Sequence, residues 1–124
     1  MSAFDKFYKR KDVIKKKWRI EESSYNKLMR ASESIYEASV NQLVNAAIKE
    51  LIKTEEIKLR NMKDKDYVAR SFQIEEVCYE QLYNLKEKYK ISINLLVNIA
   101  IENALQKDKN ISEEHGIREE LEVK

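Results

Sequence analysis

Two stretches of the chain alternate with a period of two. Ile14, Lys16, Trp18 and Ile20 interleave with Lys15, Lys17 and Arg19, and Val68, Arg70, Phe72 and Ile74 interleave with Ala69, Ser71 and Gln73. Successive strand side chains point to opposite faces, so the pattern predicts strands at 14–20 and 68–74, each with one largely apolar and one polar face. After each strand the period lengthens to that of a helix. Residues 22–36 place Leu28 and Ile35 on one side, and residues 76–90 do the same with Cys78, Leu82, Leu85 and Tyr89. A second helical stretch then opens at a serine. Behind Ser39 come Val40, Leu43, Val44, Ala47, Ile48 and Leu51; behind Ser92 come Ile93, Leu96, Val97, Ala100, Ile101 and Leu105. A serine oxygen accepts from the orphan amides of a first helical turn, which makes Ser39 and Ser92 the expected N-caps.

The same phrase therefore occurs twice, as EASVNQLVNAA at 37–47 and KISINLLVNIA at 90–100. Ser39 matches Ser92 at an offset of 53, whereas Trp18, Ile20, Tyr25 and Leu28 match Phe72, Ile74, Tyr79 and Leu82 at an offset of 54. The first copy thus carries one extra residue between Leu28 and Tyr36. A unit of about 40 residues buries too little surface to stand alone. One strand per unit cannot form a sheet either, so the two strands are expected to pair as an antiparallel ribbon. The fold class that follows is mainly α with a short two-stranded β-ribbon. The expected order is an N-terminal arm (1–12), a first unit (13–53), a linker or helix extension (54–66), a second unit (67–106) and an acidic tail or short helix (107–124).

Composition narrows this further. The 124 residues contain no proline and one glycine, Gly116, which disfavours turn-rich barrels and sandwiches. Cys78 is the only cysteine, so no internal disulfide can form and a reducing, cytoplasmic setting is expected. No apolar run approaches the roughly 18 residues of a membrane span. Net charge is +2, yet residues 1–19 hold eight basic side chains against Asp5 and Asp12, leaving a net −4 for the rest. A basic end on a mildly acidic body points to a polyanionic partner. Lys6, Lys9, Arg10 and Lys11, interleaved with Phe4, Phe7 and Tyr8, would form a phosphate-binding arm, along the backbone or in a minor groove.

The alternating strand, the spacing from it to the serine and the Ser-(Val/Ile)-Asn at the start of the second helix resemble the ribbon-helix-helix fold of the Arc and MetJ repressors. The resemblance spans about 13–53 and 67–106. As tandem copies in one chain, they look like regulators of archaeal viruses and relaxosome accessory proteins. The chain departs from the pattern in lacking the glycine before the serine and the proline that often opens the first helix. The resemblance implies an intramolecular pseudo-dimer that inserts its ribbon into the DNA major groove. It assigns base contacts to Lys15, Lys17 and Arg19 on one strand and to Ala69, Ser71 and Gln73 on the other. Arginine can bond guanine O6 and N7, and glutamine can bond adenine N6 and N7. The same resemblance places the helix starts at Ser39, Val40 and Asn41 and at Ser92, Ile93 and Asn94 against phosphates, where free amides and the helix dipole favour an anion. Because the strands are unequal, one chain is expected to prefer an asymmetric site.

Simpler roles compete for several of these residues. Trp18 and Phe72 fall in the inward phase and are expected in the core. The serines can act as caps alone, and Lys15–Lys17 can protect a strand edge. Tyr25 and Tyr79 are expected to pack helices, and Cys78 to be a small buried thiol. His115 has no cluster of second ligands, so no metal site is expected. No phosphate loop and no nucleophile–base pair is visible, so neither an enzyme nor a cofactor is expected. The expected partners are double-stranded DNA and further copies of the chain, as a homo-oligomer or cooperative array, without a membrane and within the cytoplasm or nucleoid. The leading function is a repressor-like transcriptional regulator. A plasmid transfer or partition factor, or an antitoxin-like interaction module, are the alternatives.

Overall fold

The structure, a computed structural model, describes residues 13–36, 38–58 and 66–108. The expected arm with Lys6, Lys9, Arg10 and Lys11, His115 and the C-terminal tail from 109 lie outside these residues, as do 59–65 of the linking segment. The element order is β1 (Val13–Glu21), α1 (Glu22–Arg30, continuing as a π-helical turn over Ala31–Ile35), α2 (Val40–Thr54), β2 (Tyr67–Glu75), α3 (Glu76–Tyr89) and α4 (Ile93–Lys107). Among the described residues the protein is mainly helical, as expected, with one two-stranded antiparallel sheet.

The register is set by the alternation read from the sequence. Lys17 stands opposite Ser71, Arg19 opposite Ala69, and Lys15 opposite Gln73. On the other face Trp18, Ile20, Phe72 and Ile74 are all buried, Ile20 and Ile74 completely. Fully burying an isoleucine contributes on the order of 1.5–3 kcal/mol, and a slip by one residue would exchange these four for charged and polar side chains. The aromatic and isoleucine side chains join Leu28, Val44, Ile48, Leu51, Leu82, Leu96, Val97 and Ile101 in a single core. Cys78 is buried in that core, and Ser24, 54 positions earlier, is buried as well.

Helices α2 and α4 pack on each other, and each also lies against the strand of the opposite half: α2 against β2 and α4 against β1. Both open as expected at their serines. Ser39 Oγ accepts from Gln42 N at 3.1 Å while Gln42 Oε1 accepts from Ser39 N at 2.8 Å, a reciprocal capping box. Ser92 Oγ accepts from Leu95 N at 3.1 Å, where a leucine has no oxygen to return the bond.

The one-residue difference between the halves has a visible outlet. In the first half the Tyr36 amide donates to Ala31 O at 2.8 Å, five residues back, closing the π-helical turn. A π turn holds one residue more than an α turn, and it lies between Leu28 and Tyr36, where the two offsets change over. In the second half α3 remains regular to Tyr89 and ends on Lys90 at φ 58°, a left-handed conformation that a glycine would adopt at lower cost. The extension of α2 stops at Thr54, where Glu55 turns left-handed at φ 51°. Glu55 is held there by Lys88 at 2.8 Å and Tyr89 at 2.9 Å. No helix among the described residues is long and apolar enough to cross a membrane.

Candidate nucleic-acid interface

The outward face of the ribbon carries Lys15, Lys17 and Arg19 from β1 and Ala69, Ser71 and Gln73 from β2, all exposed. These six are the residues expected to meet bases, and the fold brings them together on three consecutive rungs of the same face. Two carboxylates frame them: Glu21 at one end, opposite Tyr67, and Glu75 at the other, opposite Val13. Glu75 is engaged by Lys49 at 2.8 Å, and Glu21 accepts from Ser23 Oγ at 2.7 Å.

Lys16 belongs to a different group from its neighbours. Its phase turns it to the inner face, where its ammonium lies 4.6 Å from the centre of the Tyr79 ring and donates to the Tyr79 hydroxyl at 2.7 Å. Arg70 does the equivalent in the other half, 4.8 Å from the centre of the Tyr25 ring. The same tyrosines contact the buried strand rings, Tyr79 with Trp18 at 6.4 Å and Tyr25 with Phe72 at 6.2 Å. Each tyrosine thus fixes the first helix of one half to the strand of the other. Each also covers a cation of that strand.

The edges of the ribbon are held by asparagines. Asn98 Oδ1 accepts from Glu21 N at 3.0 Å, and its amide nitrogen donates to Arg19 O and Asn94 O, both at 2.9 Å. Asn45 repeats the arrangement on the opposite edge: Glu75 N at 3.0 Å, and Gln73 O and Asn41 O at 2.8 Å each. One turn earlier, Asn94 bonds both Arg19 N and Arg19 O at 3.0 Å, and Asn41 Oδ1 accepts from Gln73 N at 3.2 Å. A two-stranded sheet has two free edges whose amides and carbonyls would otherwise be open to water or to another strand. Here the second helix of each half satisfies the C-terminal end of the other half's strand edge, at Arg19 and Glu21 on β1 and at Gln73 and Glu75 on β2.

The roles of Asn45 and Asn98 were not anticipated from the sequence. The available signal was a polar side chain repeated within an otherwise apolar helical stripe between Val44 and Ala47. Asn41 and Asn94 were expected to serve phosphate, yet their side chains are committed to strand backbone. What they offer outward is main chain. The amides of Val40 and Asn41, and those of Ile93 and Asn94, have no acceptor among the described residues. Because Asn41 is tied to Gln73 and Asn94 to Arg19, one helix start lies beside each edge of the exposed face.

Arg19 has one further neighbour. Its guanidinium carbon lies 6.0 Å from the centre of the Tyr67 ring, across the ribbon and one rung pair along the same face. Burial pushes the Tyr67 hydroxyl above its ordinary pKa, the Glu21 carboxylate adds to that shift, and Arg19 opposes it. No group of histidine, cysteine and acidic side chains suited to a metal ion occurs among the described residues. No protein-family model, curated protein sequence or solved structure matches the chain.

Proposed function

We propose that this protein is a sequence-specific double-stranded-DNA-binding regulator, repressor-like in action, built as a tandem ribbon-helix-helix chain folded into an intramolecular pseudo-dimer. The observation that carries this reading is the outward face of the ribbon. It presents three cations, a glutamine and a serine on a backbone clasped at one end of each edge, with an uncovered helix start beside each edge. The B-DNA major groove is about 12 Å wide and admits a two-stranded ribbon. Lys15, Lys17, Arg19, Ser71 and Gln73 would then face base edges, with Ala69 leaving room beside Arg19. The amides at the starts of α2 and α4 would meet phosphates on either side. Recurrence of the tyrosine–cation and asparagine–strand contacts at offsets of 53 and 54 supports the pseudo-dimer. Copies of the chain binding side by side would extend a short footprint cooperatively, in the cytoplasm or nucleoid of the host cell.

The test is a salt titration of binding to random-sequence duplex, read by fluorescence anisotropy. A log–log slope of about −0.9 per phosphate neutralised is expected, steepest for the full chain and shallower after removal of residues 1–12. A slope near zero would exclude the reading.

A further inference from the structure

The two halves place similar contacts behind the ribbon but different side chains in front of it, at every outward position except the shared Glu21 and Glu75. At an offset of 54, Arg19 corresponds to Gln73 and Tyr67 corresponds to Val13. The arginine therefore has an aromatic ring two positions along the opposing strand, where the glutamine has an aliphatic side chain that is 45% exposed. Across from Arg19 stands Ala69, the smallest side chain on the face; across from Gln73 stands Lys15. The clasps fix the backbone at these two residues more than anywhere else on the ribbon. Asn94 and Asn98 bond Arg19, and Asn41 and Asn45 bond Gln73.

From this geometry we infer that the ribbon is directional and that Tyr67 is a positioning residue for Arg19. One chain then reads a guanine and an adenine about four base pairs apart, in a single orientation. The inference rests on the DNA-binding reading above and assigns it a specific site. The spacing comes from the register: Arg19 and Gln73 stand four residues apart along the ribbon. At about 3.4 Å per residue, and about 3.4 Å per base pair in B-DNA, four residues correspond to roughly four base pairs. Glu21 and Glu75 close the window at either end, since a carboxylate brought to the phosphate backbone is repelled. A guanidinium held over a ring by cation–π attraction samples fewer orientations than a free one and retains its five donors for the guanine edge. Among the described residues nothing comparable supports Gln73, whose amide would reach adenine from the clasped backbone alone.

The experiment is selection of duplexes from a randomised library by the full chain. Each contacted position is then substituted in the selected duplex and its affinity measured by anisotropy competition. A non-palindromic motif with the guanine and adenine at the stated spacing is expected. Arg19→Ala should lose roughly ten- to hundredfold discrimination at the guanine only, and Gln73→Ala should lose it at the adenine only. Tyr67→Leu, which keeps an apolar side chain, should weaken guanine discrimination about two- to fivefold. Tyr67→Phe should retain it, and neither Tyr67 variant should alter adenine discrimination or the salt slope. A palindromic motif overturns the directional inference, and an unaltered guanine preference in Tyr67→Leu with its unfolding midpoint unchanged overturns the positioning role of Tyr67; both leave DNA binding intact. Absence of any duplex binding overturns both readings.

Discussion

Residues 13–54 and 67–107 share their main inward contacts and differ in the side chains they present outward. Behind the ribbon, Asn45 and Asn98 bond three equivalent backbone groups each, and Tyr25 and Tyr79 each cover a cation from the other half. In front of it, Lys15-Lys17-Arg19 faces Gln73-Ser71-Ala69. Two repeated segments can differ freely only where their side chains do not hold each other in place. The contrast separates positions that maintain the body from positions free to acquire a preference. It can be probed by breaking the shared contacts first and the unshared ones later.

The largest effect is expected at the clasps. Asn45→Ala and Asn98→Ala each remove three hydrogen bonds and leave strand groups without partners, which should cost about 2–3 kcal/mol in urea unfolding. The two losses should agree to within about 1 kcal/mol, and a silent substitution at either site would show that the halves are not equivalent there. Ser39→Ala and Ser92→Ala should cost about 1 kcal/mol each, the first somewhat more because it also dismantles the reciprocal bond from Gln42.

The π-helical turn offers a sharper comparison. Deleting Ser34 shortens the first half to the spacing of the second, so the turn should close as ordinary α-helix. Circular dichroism should show a folded, helical protein with stability within about 1 kcal/mol of the parent. Unfolding on deletion would mean that the extra residue is required rather than merely accommodated.

The smallest effect concerns the exposed ion pairs behind α2. The hydrogen bonds from Lys88 and then Tyr89 lower the pKa of Glu55, and the hydrogen bond from Lys107 lowers that of Glu56. A depressed carboxylate stabilises the fold fully above its ordinary pKa near 4.5 and loses that contribution as pH falls through the lower folded value. Unfolding monitored from pH 7 to 3 should therefore show a slight acid decline that Glu55→Gln and Glu56→Gln together remove.

Much of the body was legible because its determinants are periodic. The alternation around Trp18 and Phe72 set the strands and their faces, and the serines set the starts of α2 and α4. The one-residue offset located the interruption of the first helix, although not its form, because a π turn, a loop and a bulge all absorb one residue. Lys16 could be assigned to a phase but not to a partner. Tyr79 lies 63 positions away, and only the pairing of the strands brings them together. The asparagine clasps were hidden for the same reason, since a polar residue in an apolar stripe announces a partner without naming it. Tyr67 lay just outside the expected strand at 68–74. β2 begins one residue earlier, and that residue is the one beside Arg19.

The role of the outward ribbon face is tested most directly by the affinity of the triple variant Lys15→Ala, Arg19→Ala, Gln73→Ala for a duplex selected by the parent protein, measured against random duplex at the same salt concentration. The expected result is an unfolding midpoint close to that of the parent, because all three side chains are exposed, and a selected-to-random affinity ratio that falls to near one. Retention of the parent's ratio by a folded triple variant would contradict it.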